Sequence, residues 1–476
     1  MWVNFFGIDV LAMNSIKILK SLSLKNDFNP LLKLAIPLII TTVVQSSVNF
    51  LGNIFLAQIS EQAFAAGALV SWLFFTLINL LFGTFNAINI LVAHKFGEKD
   101  HRGISLVLRD GLVLALLLII PTFLLLWTIS SIFSLLGQKP ELIALATPYL
   151  HALAWGLLPK FILMVLFEFL IGLGHTRVSM IFNLASIPLY IFFSYVLIFG
   201  KLGFPELGVA GAGWGMTVSD WIAAAVLCIY LTCSQSYSTY VKSIFTWSTP
   251  FYLWEIVKLG FPIGLMFTIE VGFFFAMALF MAVISVTSVA ANQIVMQYFG
   301  PLIDILLALA QAMTVRMGHH LGANQPEIAE RTSYAGIVLS AGIMIIIACF
   351  YWFCPGVLIG ADFNLQDPHN AEIIYLAKQF LFIAAFFQIL EAIRIPLFGS
   401  LRGLKDTRFS LFTSIISFWG IALPIGYLLS FWFKIGGSGF WLGLVMGTIC
   451  SVPLLYGRFK QKMHVKMTAI IIEEST

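Results

Sequence analysis

Apolar runs of twenty or more residues, separated by short polar stretches, recur along the whole chain at 33–57, 66–92, 108–133, 145–172, 178–200, 209–233, 252–283, 289–315, 333–354, 371–400, 409–433 and 437–456. About 20 apolar residues in helical form cross the hydrocarbon core of a bilayer, so the pattern predicts twelve transmembrane helices. Lipid satisfies no open backbone group, and these runs are too long and too uniformly apolar for the alternating strands of an outer-membrane barrel. The expected fold class is an all-α polytopic membrane protein.

The halves of the pattern repeat. An offset of 225 lays "KLAIPLIITTVVQ" (Lys33 to Gln45) over "KLGFPIGLMFTIE" (Lys258 to Glu270), and "VAHKFGEKD" (Val92 to Asp100) over "MGHHLGANQ" (Met317 to Gln325). An offset of 231 lays "GLGHTRVSM" over "GLKDTRFSL", from Gly172 and Gly403 onward. Three matches in order predict two pseudo-symmetric six-helix lobes of the same orientation, an arrangement in which transporters place the substrate between the halves. The divisions expected are a cytoplasmic segment 1–32, an N-lobe 33–233, a cytoplasmic linker 234–251, a C-lobe 252–457 and a cytoplasmic tail 458–476.

Composition changes the picture little, and charge adds direction. The chain is 60% hydrophobic and only 10% charged, with mean hydropathy +0.97; an ordinary soluble domain carries about 25% charged residues. Lys and Arg gather on one side of the predicted spans (Lys33, Lys95, Lys99, Arg102, Arg177, Lys258, Arg402, Lys405, Arg458), while the other side has only Lys139, Lys201 and Lys434. The positive-inside rule then puts both termini in the cytoplasm of a cell whose inner membrane holds the protein. Topology accounts for the net charge of +4, and no nucleic-acid partner is implied. The first 30 residues have no small-residue cleavage site and do not read as a signal peptide, and Met13 is a possible start. Five cysteines without paired spacing predict neither a disulfide framework nor a metal site. With no nucleophile-and-base spacing and no nucleotide loop, an enzyme is not expected, nor is any organic cofactor.

An ionisable side chain near the bilayer centre costs about 2.5 to 3.5 kcal/mol on insertion scales, and faces the bundle interior for a reason. Glu270 stands midway along "FPIGLMFTIEVGFFFAMALF", with no partner in its own helix. It reads as a proton carrier or Na⁺ ligand, or else as a hydrogen-bonded structural acid. Glu391 lies deep in the tenth run with Arg394 three residues later on the same face. It reads either as a second cation ligand or as a structural pair with Arg394. Lys160, which the repeat lays on Glu391, either holds a carboxylate from elsewhere or repels cations from the first lobe. Glu168 reads as a solvated structural acid, and Gln45, Asn53, Asn292 and Gln388 offer polar contacts to a cavity.

"FLIGLGHTR" (Phe169 to Arg177), "PELGVAGAGWG" (Pro205 to Gly215), "VAANQIVMQYFGPL" (Val289 to Leu302) and "GSLRGLKDTR" (Gly399 to Arg408), in this order, resemble the multidrug and toxic compound extrusion (MATE) family, and its NorM-type bacterial branch most of all. The resemblance spans about residues 30 to 457. It implies a Na⁺- or H⁺-coupled antiporter that exports bulky amphipathic cations; a monomer in the lipid bilayer is the expected working unit. A helix 7 acid and a helix 10 acid, here Glu270 and Glu391, would form a cation site in the C-lobe. The chain departs from the family twice. Arg394 follows the helix 10 acid, and "NFLGNIFLAQ" puts Gly52 or Asn53 where members have a helix 1 Asp. The expected coupling site is therefore the C-lobe alone, and the alternative is a transporter of one metabolite or a lipid-linked precursor.

Overall fold

The computed structural model describes residues 22–135, 137–242 and 251–475, without the side chains of 46–53, 130, 132, 135, 242 and 470–475. The expectations for the first 21 residues, for residues 243–250 of the linker and for the side chain of Asn53, next to Gly52, lie outside the described residues. No strand occurs among those described. In chain order the helices are α1 (Asn29–Ala57), α2 (Glu61–Phe85), α3 (Ala87–Gly97), α4 (His101–Leu135), α5 (Pro140–Trp155), α6 (Leu157–Gly172), α7 (Thr176–Phe199), α8 (Val209–Cys233) and the short α9 (Gln235–Lys242). They continue with α10 (Leu253–Ile284), α11 (Val286–Gly322), α12 (Pro326–Phe353), α13 (Pro355–Ile359), α14 (Ala371–Gly403), α15 (Thr407–Ser414), α16 (Leu423–Tyr427) and α17 (Ser438–Ser475).

Eleven described spans are long and apolar enough to cross a membrane, and α5 with α6 makes a twelfth, bent by 50°. Pro159 explains the bend. Its ring nitrogen donates no hydrogen bond and clashes with the preceding turn, so the helix breaks at Gly156 and restarts with the Lys160 N–H on the Gly156 carbonyl, 3.1 Å away. Two further irregularities flank Pro424, where the helix widens over Ile415–Ala422 and Leu428–Trp432. Such wide turns recur at functional positions in helices.

The chain divides into two compact units, Ile40–Gly264 and the remainder. The border falls inside α1 and α10, and the two crossings lie 225 residues apart, the offset that superposes the repeats. Within the first unit, Phe85, Phe161 and Phe169 are fully buried. Its tightest approach is between α2 and the start of α10, where a Cβ on Gly264 would fall 2.0 Å from the Leu80 carbonyl oxygen and one on Gly260 1.9 Å from that of Thr84. Small residues four apart let the backbones touch, which is how helices gain packing energy where lipid is as apolar as the side chains. The other unit buries Phe273, Phe299, Phe387, Phe418, Phe440 and Trp441 around a core of edge-to-face rings.

Several anchors tie the linker to the first unit. Asp110 on α4 accepts the Phe251 and Tyr252 N–H groups at 2.7 and 2.6 Å. Tyr240 on α9 lies 3.0 Å from His101 Nδ1, and Tyr237 lies 2.7 Å from His175 Nδ1. Burial pushes the Tyr237 phenol up to about 12 and holds the His175 imidazole below its usual value, so both partners are neutral. Glu168, expected to be solvated, is 1% exposed instead. The break at Asn86 between α2 and α3 turns Asn86 and Asn89 toward it, and their amides donate to its two carboxylate oxygens at 3.2 and 2.5 Å.

Gly264→Leu, which overpacks the α2–α10 approach, is expected to destabilise the fold by about 1–3 kcal/mol. A thermal unfolding midpoint in detergent equal to wild type would remove this contact from the structural account.

Candidate functional site

The site begins with two helices that each bring one acid into the core of the C-terminal unit. α10 carries Glu270 and α14 carries Glu391, with Arg394 one turn further along α14. The guanidinium lies between the acids. Its Nε and Nη2 donate to Glu391 Oε1 and Oε2 at 2.6 and 2.7 Å, while Nη1 and Nη2 donate to Glu270 Oε1 and Oε2 at 2.8 and 3.3 Å. This forked geometry on two carboxylates is one that only arginine provides.

The surroundings complete the cage. Ser414, the last residue of α15 before the helix widens, donates its hydroxyl to Glu270 Oε1 at 2.7 Å. Thr448 on α17 stands 3.5 Å from Glu391 Oε1. The rings of Phe398 and Phe418 lie 4.7 and 4.8 Å from the guanidinium carbon, within cation–π range. Arg394 and Glu391 side chains are 2% exposed and Glu270 is 19% exposed, so the cluster opens through Glu270. One cation facing two anions leaves a formal charge of −1.

The structure thus brings together Glu270, Glu391 and Arg394, and Glu270 finds in α14 the partner missing from its own helix. The other sequence candidates lie apart from this cluster. Gln388 is buried one turn before Glu391, with its Nε2 2.9 Å from Met344 Sδ and no partner for Oε1 among the described residues. Asn292 on α11 is 4% exposed, and its Oδ1 likewise has no partner among the described residues. Gln45 and Lys160 belong to the other unit. There Gln45 Nε2 donates to Asn183 Oδ1 at 2.8 Å, and Lys160 Nζ lies 3.5 Å from Asp220 Oδ2.

Those two contacts are the repeat's counterparts of the cluster. The offset of 225 pairs Gln45 with Glu270, and 231 pairs both Asn183 with Ser414 and Lys160 with Glu391. Laying Gly208, Gly211 and Gly215 over Gly436, Gly439 and Gly443 then pairs Asp220 with Thr448. The contacts Glu270–Ser414 and Glu391–Thr448 in one unit correspond to Gln45–Asn183 and Lys160–Asp220 in the other. The same four positions carry two acids and two hydroxyls on one side, and two amides and an ion pair on the other. Asp220 escaped sequence reasoning, although an acid twelve residues into the apolar run 209–233 is a legible signal. Ser414 and Thr448 gave none, because hydroxyls are common in membrane helices.

A bundle of membrane helices in two repeat-related halves, with charged side chains gathered inside each half, is the architecture of a membrane transporter. The family model MatE matches residues 37–196 and 262–428. Curated relatives named "Probable multidrug resistance protein NorM" include that of Brucella suis, 30% identical over 92% of this chain and 94% of its own, and that of Halalkalibacterium halodurans, 31% identical over 89% and 92%. A solved outward-facing multidrug resistance MATE transporter of the MOP superfamily has TM-score 0.82 at 21% identity, covering 92% of this chain and 96% of its own. The eukaryotic transporter AtDTX14 has TM-score 0.77 at 21% identity, covering 93% and 98%. The chain belongs to the MatE family, and is a transporter and not an enzyme.

Breaking a buried ion pair by removing one partner costs about 3–5 kcal/mol, whereas replacing the whole set with neutral groups is often neutral or stabilising. Arg394→Leu is therefore expected to lower the unfolding midpoint markedly, and the triple variant Arg394→Leu, Glu270→Gln, Glu391→Gln to recover most of the loss. Equal midpoints for the single and triple variants would mean that packing, not charge, is what Arg394 contributes.

Proposed function

We propose that the protein is a cation-coupled antiporter of a bacterial inner membrane, with both termini cytoplasmic, exporting bulky amphipathic and often cationic compounds by alternating access as a single chain in the bilayer. The observation that carries this reading is the Glu270–Arg394–Glu391 cluster, a charge-unbalanced group inside a membrane bundle that reaches the surface at Glu270. Net negative charge in a poorly solvated core is costly, so gain of a cation at the cluster is favourable.

Uptake of that cation changes how strongly Glu270 holds Arg394 and Ser414, and so how α10 is tied to α14 and α15. A ligand shifts a conformational equilibrium only through different affinity for the two states. Here the difference lies in whether these three helices stay joined. The wide turns around Pro424 and the proline in α10, Pro262, supply the places where the helices can bend. The relatives' name, multidrug resistance protein, supports toxic organic compounds as the exported class. An apolar cavity with modest negative charge favours lipophilic cations among them.

Glu270→Gln removes the exposed acid while leaving the Arg394–Glu391 pair neutral and intact. In a bacterial host lacking its own efflux pumps, cells with wild type are expected to accumulate less ethidium and fluoroquinolone than cells with the variant, at equal amounts of protein in the membrane. Undiminished export by Glu270→Gln would sink the assignment of the coupling site. Equal accumulation with wild type and with no transporter would instead turn the substrate toward a dedicated metabolite.

A further inference from the structure

We infer that Arg394 is a resident cation that excludes Na⁺ from the cluster, and that removing its guanidinium would convert Glu270 and Glu391 into a Na⁺ site. The inference rests on the reading of the cluster as the coupling site, and adds which ion that site accepts.

A hard metal cation builds its shell from carboxylate, hydroxyl and carbonyl oxygens. In this cluster the oxygens are already committed. Both oxygens of Glu391 accept from Nε and Nη2, and both oxygens of Glu270 accept from Nη1 and Nη2, Oε1 also taking the Ser414 hydroxyl. A Na⁺ ion between the acids would need the volume that the guanidinium fills. It would also sit against a like charge that no physiological pH removes, and in a poorly solvated core that repulsion is only weakly screened.

Nor does the guanidinium have an easy exit. It is 2% exposed and lies against the rings of Phe398 and Phe418, so swinging out would break four charged hydrogen bonds and both ring contacts. The backbone scaffold shared by the two halves does not by itself demand a cation at this place; the two acids do. The offset of 231 puts Leu163 of the other half at the position of Arg394, and there a leucine, 6% exposed, serves the same scaffold. Arginine at this position is thus a feature of the charged site. With Na⁺ kept out, the proton remains as the cation that needs no open coordination shell.

Arg394→Gln would leave the four carboxylate oxygens, the Ser414 and Thr448 hydroxyls and an amide oxygen around the vacated volume. That is an oxygen set suited to Na⁺. The charged and polar groups that meet there are Glu391 from α14, Glu270 from α10, Ser414 from α15 and Thr448 from α17.

The test is ion binding by purified full-length protein in detergent, which is independent of transport and of which drug is carried. Wild type, Arg394→Gln and Arg394→Met are titrated with NaCl against choline chloride at constant ionic strength, following the unfolding midpoint and bound ²²Na⁺. Wild type is expected to show no Na⁺-specific shift and no saturable binding, and each variant a saturable rise in midpoint with one Na⁺ bound. Saturable Na⁺ binding by wild type that Glu391→Gln abolishes would overturn the inference. So would a folded Arg394 variant that gains no Na⁺ binding. If neither variant folds, the wild-type titration alone still decides whether Na⁺ is excluded. Failure of the coupling-site reading would show separately, as export that survives Glu270→Gln.

Discussion

The interaction on which the C-terminal half depends is a single guanidinium holding two carboxylates away from water. Arg394 joins α10 to α14 by ion pairs, and it donates to every carboxylate oxygen of both acids. A buried carboxylate without a cation would be costly in the middle of a bilayer, and this residue supplies the cation to both acids. The helices around it are shaped to fit: α15 ends at Ser414, and the widened turn that follows carries Phe418 against one face of the guanidinium.

The same scaffold has been furnished differently in its two halves. Where the C-terminal unit has an excess of negative charge, the other has a balanced pair, Lys160 and Asp220, and an amide contact, Gln45 and Asn183. The balanced pair is longer and more exposed, at 3.5 Å with side chains 27% and 15% exposed, than the compact cluster around Arg394. A single longer contact opens more readily, while a bidentate one holds its helices together.

Backbone irregularity follows the chemistry in both halves. The 50° bend between α5 and α6 lies just before Lys160, and the widened turns lie just after Ser414. In a lipid-facing bundle a broken helix is tolerated only where other groups satisfy the freed backbone. These breaks therefore sit beside polar side chains, and they mark where each half can flex.

Much of this was legible in the chain of letters. The number of spans, the helical class, the repeat and its offset, and the interior place of Glu270 and Glu391 follow from hydropathy and from the cost of charge in lipid, which act on every residue regardless of its neighbours. The partnership of Glu270 was not legible, because Arg394 lies 124 residues away and only packing of α10 on α14 unites them. Nor was Glu168 correctly read, since its solvation depended on Asn86 and Asn89 turning inward at a helix break. Hydropathy along the chain was enough to put Glu270 and Glu391 inside the bundle, but which charge meets which came from packing, because a contact between helices depends on their rotation and depth, and periodicity in one helix carries no information about another.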